Sequence, residues 1–418
     1  MSATTGMRRR LVASSLALAT VVALLGSPSS VADPAENAVT HWSRISEQFV
    51  PIGRFGASAQ VLSGIVHAAI YDAVAATEGA LDPFMVSIEA PPGASTEAAV
   101  ATAARDVLVE RVPLQAGPVT ADYDAFMAAI PDGQAKSDGR TVGEQVAQQI
   151  LAARADDGFG NVVEYVQQPP GPGVFEPVAP TPPIDVVLTQ VLPFTFDSAW
   201  DFRPNGPSSL KSGEYAADFA EVKAYGRSDS AVRTPEQTQT VRFWADNTFV
   251  QWSRTVRALA EARDLDLRES ARLLGLVHVT AADTMIACFD AKYHFSFWRP
   301  VHAIARADTD GNPATIPDQT WTSLLVVNHP EYPSGHACLT GAVTQALQIY
   351  FGTNGLPLTI SSNFPGAGPP RSFARLSDIR AEVADARVWA GLHFRNAMEE
   401  GGKLARKIAR HVASSAFL

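Results

Sequence analysis

Apolar residues recur every three or four positions along most of this chain, which is the period of a helix with one buried face. The clearest case covers residues 55–78, FGASAQVLSGIVHAAIYDAVAATE, where alanine-rich faces suit close helix packing. Further helices are predicted over residues 96–112, 139–155, 215–225, 234–263 and 267–296. The pattern predicts an all-α helical bundle that needs no sheet.

Residues 167–207 depart from this period and are rich in proline, reading QQPPGPGVFEPVAPTPPIDVVLTQVLPFTFDSAWDFRPNGP. Proline has no backbone N–H donor and blocks a helix interior, so we expect an extended connection that packs against the helices. It divides the chain into an N-terminal helical region, residues 33–166, and a C-terminal helical region, residues 208–418.

Residues 1–32 have the pattern of a secretory signal peptide. Three consecutive arginines precede an apolar run over residues 11–26, and small residues lead to a cleavage site after about Ala32. A membrane anchor is the alternative, but the apolar run is short for one. We therefore expect a secreted protein, and we expect no stable membrane insertion because no later stretch looks long and apolar enough.

Without the leader, the chain has 386 residues and a net charge of −13, against −10 for the full sequence, because the leader holds three arginines and no acid. An acidic surface argues against a nucleic-acid partner, whereas a homo-oligomer is compatible with this composition. Its two cysteines, Cys288 and Cys338, permit either one disulfide or two buried free thiols.

The first candidate for chemistry is the pair Lys292 and Arg299, seven residues apart in AADTMIACFDAKYHFSFWRP. Seven residues are two helical turns, so we expect both cations on one face of a helix that Pro300 ends. Such pairs are often solvated, but the surrounding segment is unusually apolar for a surface helix.

The second candidate is the segment from His329 to His336, HPEYPSGH, which precedes an apolar helical pattern. The unpaired amides at a helix N-terminus, the Ser334 hydroxyl and the amide of Gly335 can face an oxyanion. His336 would lie in the first turn and could act as acid and base. The alternative is a serine-capped helix with an incidental histidine.

The third candidate is the pair Arg387 and His393, six residues apart on a predicted helix over about residues 377–403. An arginine can clamp oxyanion oxygens, and a neutral imidazole can bind a metal or attack phosphorus. Alone, each pair also fits a structural role. Together, the three segments predict a basic pocket for a tetrahedral oxyanion in an otherwise acidic protein.

These three motifs resemble those of the vanadium-dependent haloperoxidases of the type 2 phosphatidic acid phosphatase superfamily, in its secreted bacterial form. The family pattern is Lys, six residues, Arg-Pro; then Pro-Ser-Gly-His; then Ser-Arg, five residues, His, commonly with Asp four residues later. The first two parts match fully, and the third matches in Arg387 and His393. The likeness extends over most of the chain after the leader, but only the motifs are specific.

The resemblance implies two four-helix bundles, a vanadate cofactor in one of them, and hydrogen peroxide, a halide and a small organic acceptor as reaction partners. It implies that His393 is the vanadium ligand and His336 the acid-base residue. The oxygens of the bound anion would be held by Lys292, Arg299, Ser334, Gly335 and Arg387. His329 resembles the histidine seven residues before the acid-base histidine in bromoperoxidases, which favours bromide or iodide, although a packing role fits it equally.

The motif departs from the family pattern at Ala386, where serine is usual, and at Ala397, where aspartate is usual. A missing carboxylate near His393 would alter the orientation or basicity of its ring. Vanadate and phosphate share shape and charge, so a secreted acid phosphatase with a phosphohistidine intermediate is the first alternative. A secreted protein that binds an oxyanion without catalysis is the second.

Overall fold

The computed structural model describes residues 36–178 and 182–417, and in this part of the chain thirteen α-helices form nearly all of the regular structure. Their bounds are α1 Ala38–Gly53, α2 Ser58–Glu78, α3 Thr96–Arg111, α4 Ala116–Ala128, α5 Gln134–Ala153, α6 Gly213–Tyr225, α7 Pro235–Phe243, α8 Thr248–Ala262, α9 Leu267–Phe295, α10 Pro300–Ala305, α11 Gly335–Phe351, α12 Leu376–Trp389 and α13 Arg395–Ser415. The predicted leader, residues 1–32, lies outside the described residues.

Two groups of four helices make up the core. The first group is α1, α2, α3 and α5, and the second is α9, α11, α12 and α13. They meet where α2 packs along α9, which is the most extensive contact between any two helices. The predicted all-α fold of two four-helix bundles is confirmed.

Helix α9 belongs to the second bundle but is covered on every side. It begins with a capping box, in which the Asp266 carboxylate accepts from the Glu269 N–H at 2.8 Å and the Glu269 carboxylate accepts from the Asp266 N–H at 3.1 Å. Residues 273–292 are all buried, because α2 covers one side and α11 and α13 cover the other. The helix therefore carries Lys292, at its end, into the centre of the fold.

Two helices, α2 and α9, are long and apolar enough to cross a membrane by length and composition. The expectation that no stretch after the leader has this property was therefore wrong. Their most apolar windows are 94% and 100% buried, respectively. Their apolar character has a sufficient explanation in the core, because helices covered on all sides need no polar face.

Hydrogen bonds hold the proline-rich segment against α9. In its described part, residues 167–178 and 182–207, the regular structure consists of two short 3-10 helices, Val186–Gln190 and Ala199–Phe202. The buried carboxylate of Asp283 accepts from the Phe194 N–H at 2.6 Å and from the Thr195 hydroxyl at 2.6 Å. Near the end of α9, the Phe175 N–H donates to the Ser296 carbonyl at 2.7 Å.

A small hairpin departs from the purely helical expectation. Strands β1 (Leu358–Ile360) and β2 (Arg371–Phe373) pair antiparallel between α11 and α12. The single helix predicted over residues 234–263 is also wrong, because Asn247 caps a second helix by accepting from the Phe249 and Val250 N–H groups. Apolar residues on both sides of this break keep the helical period, so periodicity alone does not reveal it.

The close contact between the two bundles predicts that a glycine-to-alanine substitution is destabilising at this contact and is tolerated at an open position elsewhere. A Cβ at Gly64 on α2 would lie 2.7 Å from the Ala282 Cβ, whereas one at Gly117 on α4 meets no atom within 4 Å. Gly64→Ala should lower the free energy of unfolding by about 1–2 kcal/mol, because overpacking outweighs the gain in helix propensity. Gly117→Ala should leave it unchanged or raise it by up to about 1 kcal/mol. Urea unfolding checks both, and equal effects would contradict the close packing.

Candidate active site

The residues singled out in the three motifs come together at one end of the second bundle. They are contributed by the last turn of α9, the turn before α10, the start of α11, the last turn of α12 and the loop before α13. Arg299 Nη1 lies 3.3 Å from His393 Nε2. A Cβ at Gly335 would lie 3.7 Å from the Lys292 Cε. Chain segments up to about 100 residues apart thus form one pocket.

Lys292 and Arg299 do not share a helix, contrary to expectation. Helix α9 ends at Phe295, Ser296 turns the chain in the left-handed region at φ 44°, and Arg299 is the N-cap residue of α10. Pro300 therefore begins a helix instead of ending one. The sequence does not distinguish the two, because proline is favoured at the first helical position and also after a helix end.

His393 does not lie on a helix either, so the helix predicted over residues 377–403 was wrong. Helix α12 ends at Trp389 and α13 begins at Arg395. Between them, Gly391 has φ +75°, and a Cβ there would lie 2.5 Å from the Gly226 carbonyl oxygen. Only glycine fits this turn, which separates His393 from the helix that carries Arg387.

The start of α11 has the expected form. Ser334 is its N-cap residue, and its hydroxyl accepts from the Ala337 N–H at 3.4 Å. Gly335 and His336 occupy the first turn and are partly exposed, whereas Ser334 is fully buried. The free amides of this turn are close to the Lys292 side chain, so the N-terminus of α11 faces the cations.

Three cations are buried here without a carboxylate partner. Lys292, Arg299 and Arg387 are 0%, 2% and 3% exposed, and no ion pair in the described part of the chain includes them. They donate instead to backbone carbonyls: Lys292 to Pro330, Arg299 to Leu392 and Arg387 to Trp244. Burial lowers the pKa of Arg299 to about 10 and that of Arg387 to about 9, and it lowers the pKa of Lys292 as well. The pocket holds positive charge that an anion would neutralise.

The remaining donors fit a tetrahedral oxyanion. Arg387 Nε and His336 Nε2 are buried and have no hydrogen-bond partner among the described residues. The bare face of Gly335 leaves room beside Lys292. A guanidinium fork, an ammonium group, a hydroxyl and helix N-terminal amides together match the oxygens of vanadate or phosphate.

The tautomer of His393 follows from its two neighbours. Arg299 has only donors, so His393 Nε2, which faces it, must accept and carries no proton. The proton of the neutral ring is then on Nδ1, which donates to Glu331 Oε1 at 2.9 Å. Burial, with the charges of Arg299 and Lys292, holds the pKa of His393 well below its usual range. His393 thus presents a lone pair on Nε2 to Arg299.

Glu331 is the site residue that the sequence analysis missed. It is 1% exposed, and its Oε1 accepts from both His393 Nδ1 and the Phe394 N–H, the latter at 3.0 Å. Burial raises its pKa to about 8, although Arg299 and Lys292 oppose this. The signal was present, because Glu331 is the one acidic residue inside the HPEYPSGH segment.

His329 lies at the edge of the pocket and is partly exposed. Its Nδ1 accepts from Arg299 Nη2 at 2.9 Å, and its ring centroid lies 5.3 Å from that of Phe289. Burial and the charges of Lys292 and Arg299 lower its pKa. It therefore packs beside the cations as a neutral ring.

A disulfide joins Cys288 to Cys338, which decides between the two alternatives that the sequence left open. Cys288 lies one helical turn before Lys292, and Cys338 lies one turn after Ser334. The bond therefore ties α9 to α11 beside the pocket. A cross-link that closes a loop of this length typically stabilises a fold by about 2–4 kcal/mol.

Comparisons with known proteins agree with the fold and the motifs. The family model of the VCPO second helical-bundle domain matches residues 272–417, a range that includes every residue of the pocket. A vanadium chloroperoxidase from Curvularia inaequalis is 31% identical over 150 residues, which is 29% of this chain and 24% of that protein. The match thus spans about a quarter of the length of this curated relative.

Solved structures share the fold over nearly the whole chain. A bacterial vanadium-dependent iodoperoxidase superimposes with a TM-score of 0.78 at 22% identity, covering 91% of this chain and 97% of that one. A holo-type bacterial vanadium-dependent chloroperoxidase superimposes with a TM-score of 0.74 at 17% identity, with the same coverage. These likenesses show the fold. The expected resemblance to the vanadium haloperoxidases is confirmed for the second bundle, where the family model and the curated relative match.

Because the charge of Lys292 has no carboxylate partner among the described residues, we predict that Lys292→Met weakens anion binding and stabilises the fold. Phosphate affinity, measured by calorimetry, should fall about 10- to 100-fold, because a charged donor is lost. The free energy of unfolding without anion should rise by about 1–4 kcal/mol. Since the pKa of Lys292 is lowered by folding, this gain should narrow as the pH rises towards the ordinary value of 10.5, above which the lysine is neutral in both states. The exposed Lys407→Met is the control, and a destabilised Lys292→Met would contradict the argument.

Proposed function

We propose that this chain is a secreted, vanadate-dependent haloperoxidase that oxidises bromide or iodide with hydrogen peroxide to hypohalous acid, in keeping with the likeness of its second bundle to the vanadium haloperoxidases. One observation carries the proposal. Three buried cations, which have no carboxylate partner among the described residues, lie near a neutral histidine whose Nε2 lone pair points towards one of them, Arg299. This arrangement suits a highly charged oxyanion that also takes one nitrogen ligand.

Each residue of the pocket then has a defined part in holding the cofactor. His393 Nε2 would bind vanadium, and the oxyanion oxygens would be held by Lys292, Arg299, Ser334, Gly335 and Arg387. When bound, vanadate supplies a Lewis-acid V(V) centre that activates hydrogen peroxide for oxygen transfer to a halide. The cations lower the free energy of negative charge on the oxygens, and burial strengthens this effect by excluding water.

His336 is proposed to move the proton of hydrogen peroxide. Burial, followed by the charge of Arg387, holds its pKa well below the usual range, so the ring is neutral in the free pocket and its buried Nε2 has no hydrogen-bond partner among the described residues. A neutral imidazole can accept a proton as peroxide enters.

The position of His329 is the basis on which we propose bromide or iodide as the halide. Its neutral ring lies beside Arg299 and Phe289 at the partly exposed edge of the pocket. A polarisable halide such as bromide or iodide is easier to oxidise and to desolvate than chloride, so a modestly polar, cationic edge is sufficient for it.

An adjoining cavity of about 290 Å³ supports a place for the organic acceptor. Arg299 and Leu392 form its wall on the side of the pocket. Its other walls combine the apolar side chains of Val301, Leu325, Val326 and Val327 with a few polar residues, which are His302, Thr322 and Ser323. A cavity of this size and character suits a small aromatic acceptor such as a phenol.

Secretion is proposed from residues 1–32 and is compatible with the disulfide. Structural disulfides are typical of oxidising compartments outside the cytosol. Here, the bond between Cys288 and Cys338 is beside the pocket, so an oxidising compartment would keep the site helices joined.

The decisive experiment measures bromide-dependent bromination of a phenolic dye with peroxide, with and without orthovanadate, alongside hydrolysis of p-nitrophenyl phosphate. We expect vanadate-dependent bromination that His393→Ala reduces by at least about a thousandfold, because the nitrogen ligand is lost. His294→Ala, an exposed histidine on α9, is the matched control and should retain activity. Phosphatase activity inhibited by vanadate would favour the phosphatase instead, and a lack of both activities would favour a binding protein.

The acceptor cavity predicts a selective effect of Val326→Trp. Val326 is 66% exposed, so the larger ring should be tolerated by the fold while it fills the cavity mouth. The KM for a phenolic acceptor should rise at least about fivefold, with the KM for peroxide unchanged. Val162→Trp, at a position 96% exposed and outside the cavity, is the control. Equal kinetics of the two variants would place acceptor binding elsewhere.

A further inference from the structure

The family pattern and this chain differ at one position that bears directly on His393. Where the pattern commonly has aspartate four residues after the histidine, this chain has Ala397. Ala397 is fully buried, and its carbonyl accepts from the Ser334 N–H at 3.0 Å. The first turn of α13 therefore supplies no carboxylate to the imidazole, and a ring that ligates through Nε2 needs a partner for Nδ1.

A carboxylate reaches the same ring from a different part of the chain. Glu331 precedes α11, 62 residues before His393, and its Oε1 lies 2.9 Å from His393 Nδ1. That oxygen also accepts from the N–H of Phe394, the residue next to the histidine. One carboxylate oxygen thus fixes both the imidazole and the backbone beside it.

We propose that Glu331 is the positioning residue of the pocket, replacing the carboxylate absent at position 397 and holding His393 in the tautomer that directs its Nε2 lone pair at the oxyanion. The inference rests on the proposed function only in naming His393 as the oxyanion ligand. The hydrogen-bond geometry stands without it.

The alternative tautomer shows what the carboxylate accomplishes. With the proton on Nε2, two donors would face each other, because Arg299 Nη1 lies 3.3 Å from that nitrogen. Nδ1 would then be an acceptor facing Glu331, which is an acceptor as well when its carboxylate is ionised, the form that the charges of Arg299 and Lys292 favour. Both contacts therefore favour the same tautomer, and loss of Glu331 removes one of the two.

Glu331 also connects the histidine with a cation. Its backbone carbonyl accepts from Lys292 Nζ at 3.2 Å, and its own N–H donates to the Phe297 carbonyl at 3.0 Å. The backbone of residue 331 is thus held between the end of α9 and the turn after it. The side chain can then act as a rigid reference for His393, since it is 1% exposed.

The test compares Glu331→Ala and Glu331→Gln with the wild type and with Asp283→Asn. Asp283 is a matched control, because it is also fully buried and accepts backbone N–H groups, but it lies outside the pocket. The first readout is the 15N NMR signature of His393, assigned by its loss in His393→Ala. The second is the affinity for inorganic phosphate, measured by calorimetry. Neither readout needs vanadate or peroxide.

We expect the wild type and Asp283→Asn to show the Nδ1–H tautomer. Glu331→Gln keeps an acceptor oxygen and should keep this tautomer, with phosphate affinity within about threefold. Glu331→Ala should populate a tautomer mixture and bind phosphate about 10- to 100-fold more weakly, the usual effect of losing such a partner. Unchanged spectra and affinity in a folded Glu331→Ala, or an equal loss in Asp283→Asn, would overturn the proposal.

If Glu331→Ala fails to fold, the glutamine variant decides alone. An Nε2–H tautomer there would overturn the proposal, and a retained Nδ1–H tautomer would support it. An inactive wild type that nevertheless showed the expected tautomer and its dependence on Glu331 would count against the haloperoxidase, and the positioning role of Glu331 would stand.

Discussion

Three cationic side chains are kept out of water at one point of an apolar helical core, and the rest of the site follows from that constraint. In the described part of the chain, Lys292, Arg299 and Arg387 have no carboxylate partner, and they donate to backbone carbonyls instead. Backbone carbonyls can accept hydrogen bonds from these cations only if the chain segments that carry them are held in place. Here the α11 cap, the turn at Gly391 and the Glu331 side chain hold those segments. Burying these unpaired charges lowers the stability of the fold, and an anion that neutralises them would therefore be bound more tightly.

Much of the fold was predictable because helices in a two-bundle core carry a strong apolar period. Helices α2 and α9 were found within a few residues of their ends. The breaks were missed at Asn247 and Gly391, where apolar residues continue the period on both sides. Each break had a local signal, a capping asparagine and a glycine, but single residues of these types also occur inside helices.

The site was predictable in its residue types and not in its geometry. Motif spacing identified the cations and the two histidines, yet it placed Lys292 with Arg299, and Arg387 with His393, on shared helices. In the fold, each pair is divided by a turn, and tertiary contacts bring its members together. Glu331 was visible in the sequence, but its role depends on a contact 62 residues away that no local pattern encodes.

The position of α9 limits how the protein can be divided. The helix carries Lys292 and one half of the disulfide, but its opposite side is covered by α2, with Ala282 against Gly64. A gene fragment limited to the second bundle would include all pocket residues and still expose an apolar stripe along its longest helix. The first bundle therefore covers a surface that the second cannot leave exposed to water, so we expect the two bundles to fold together.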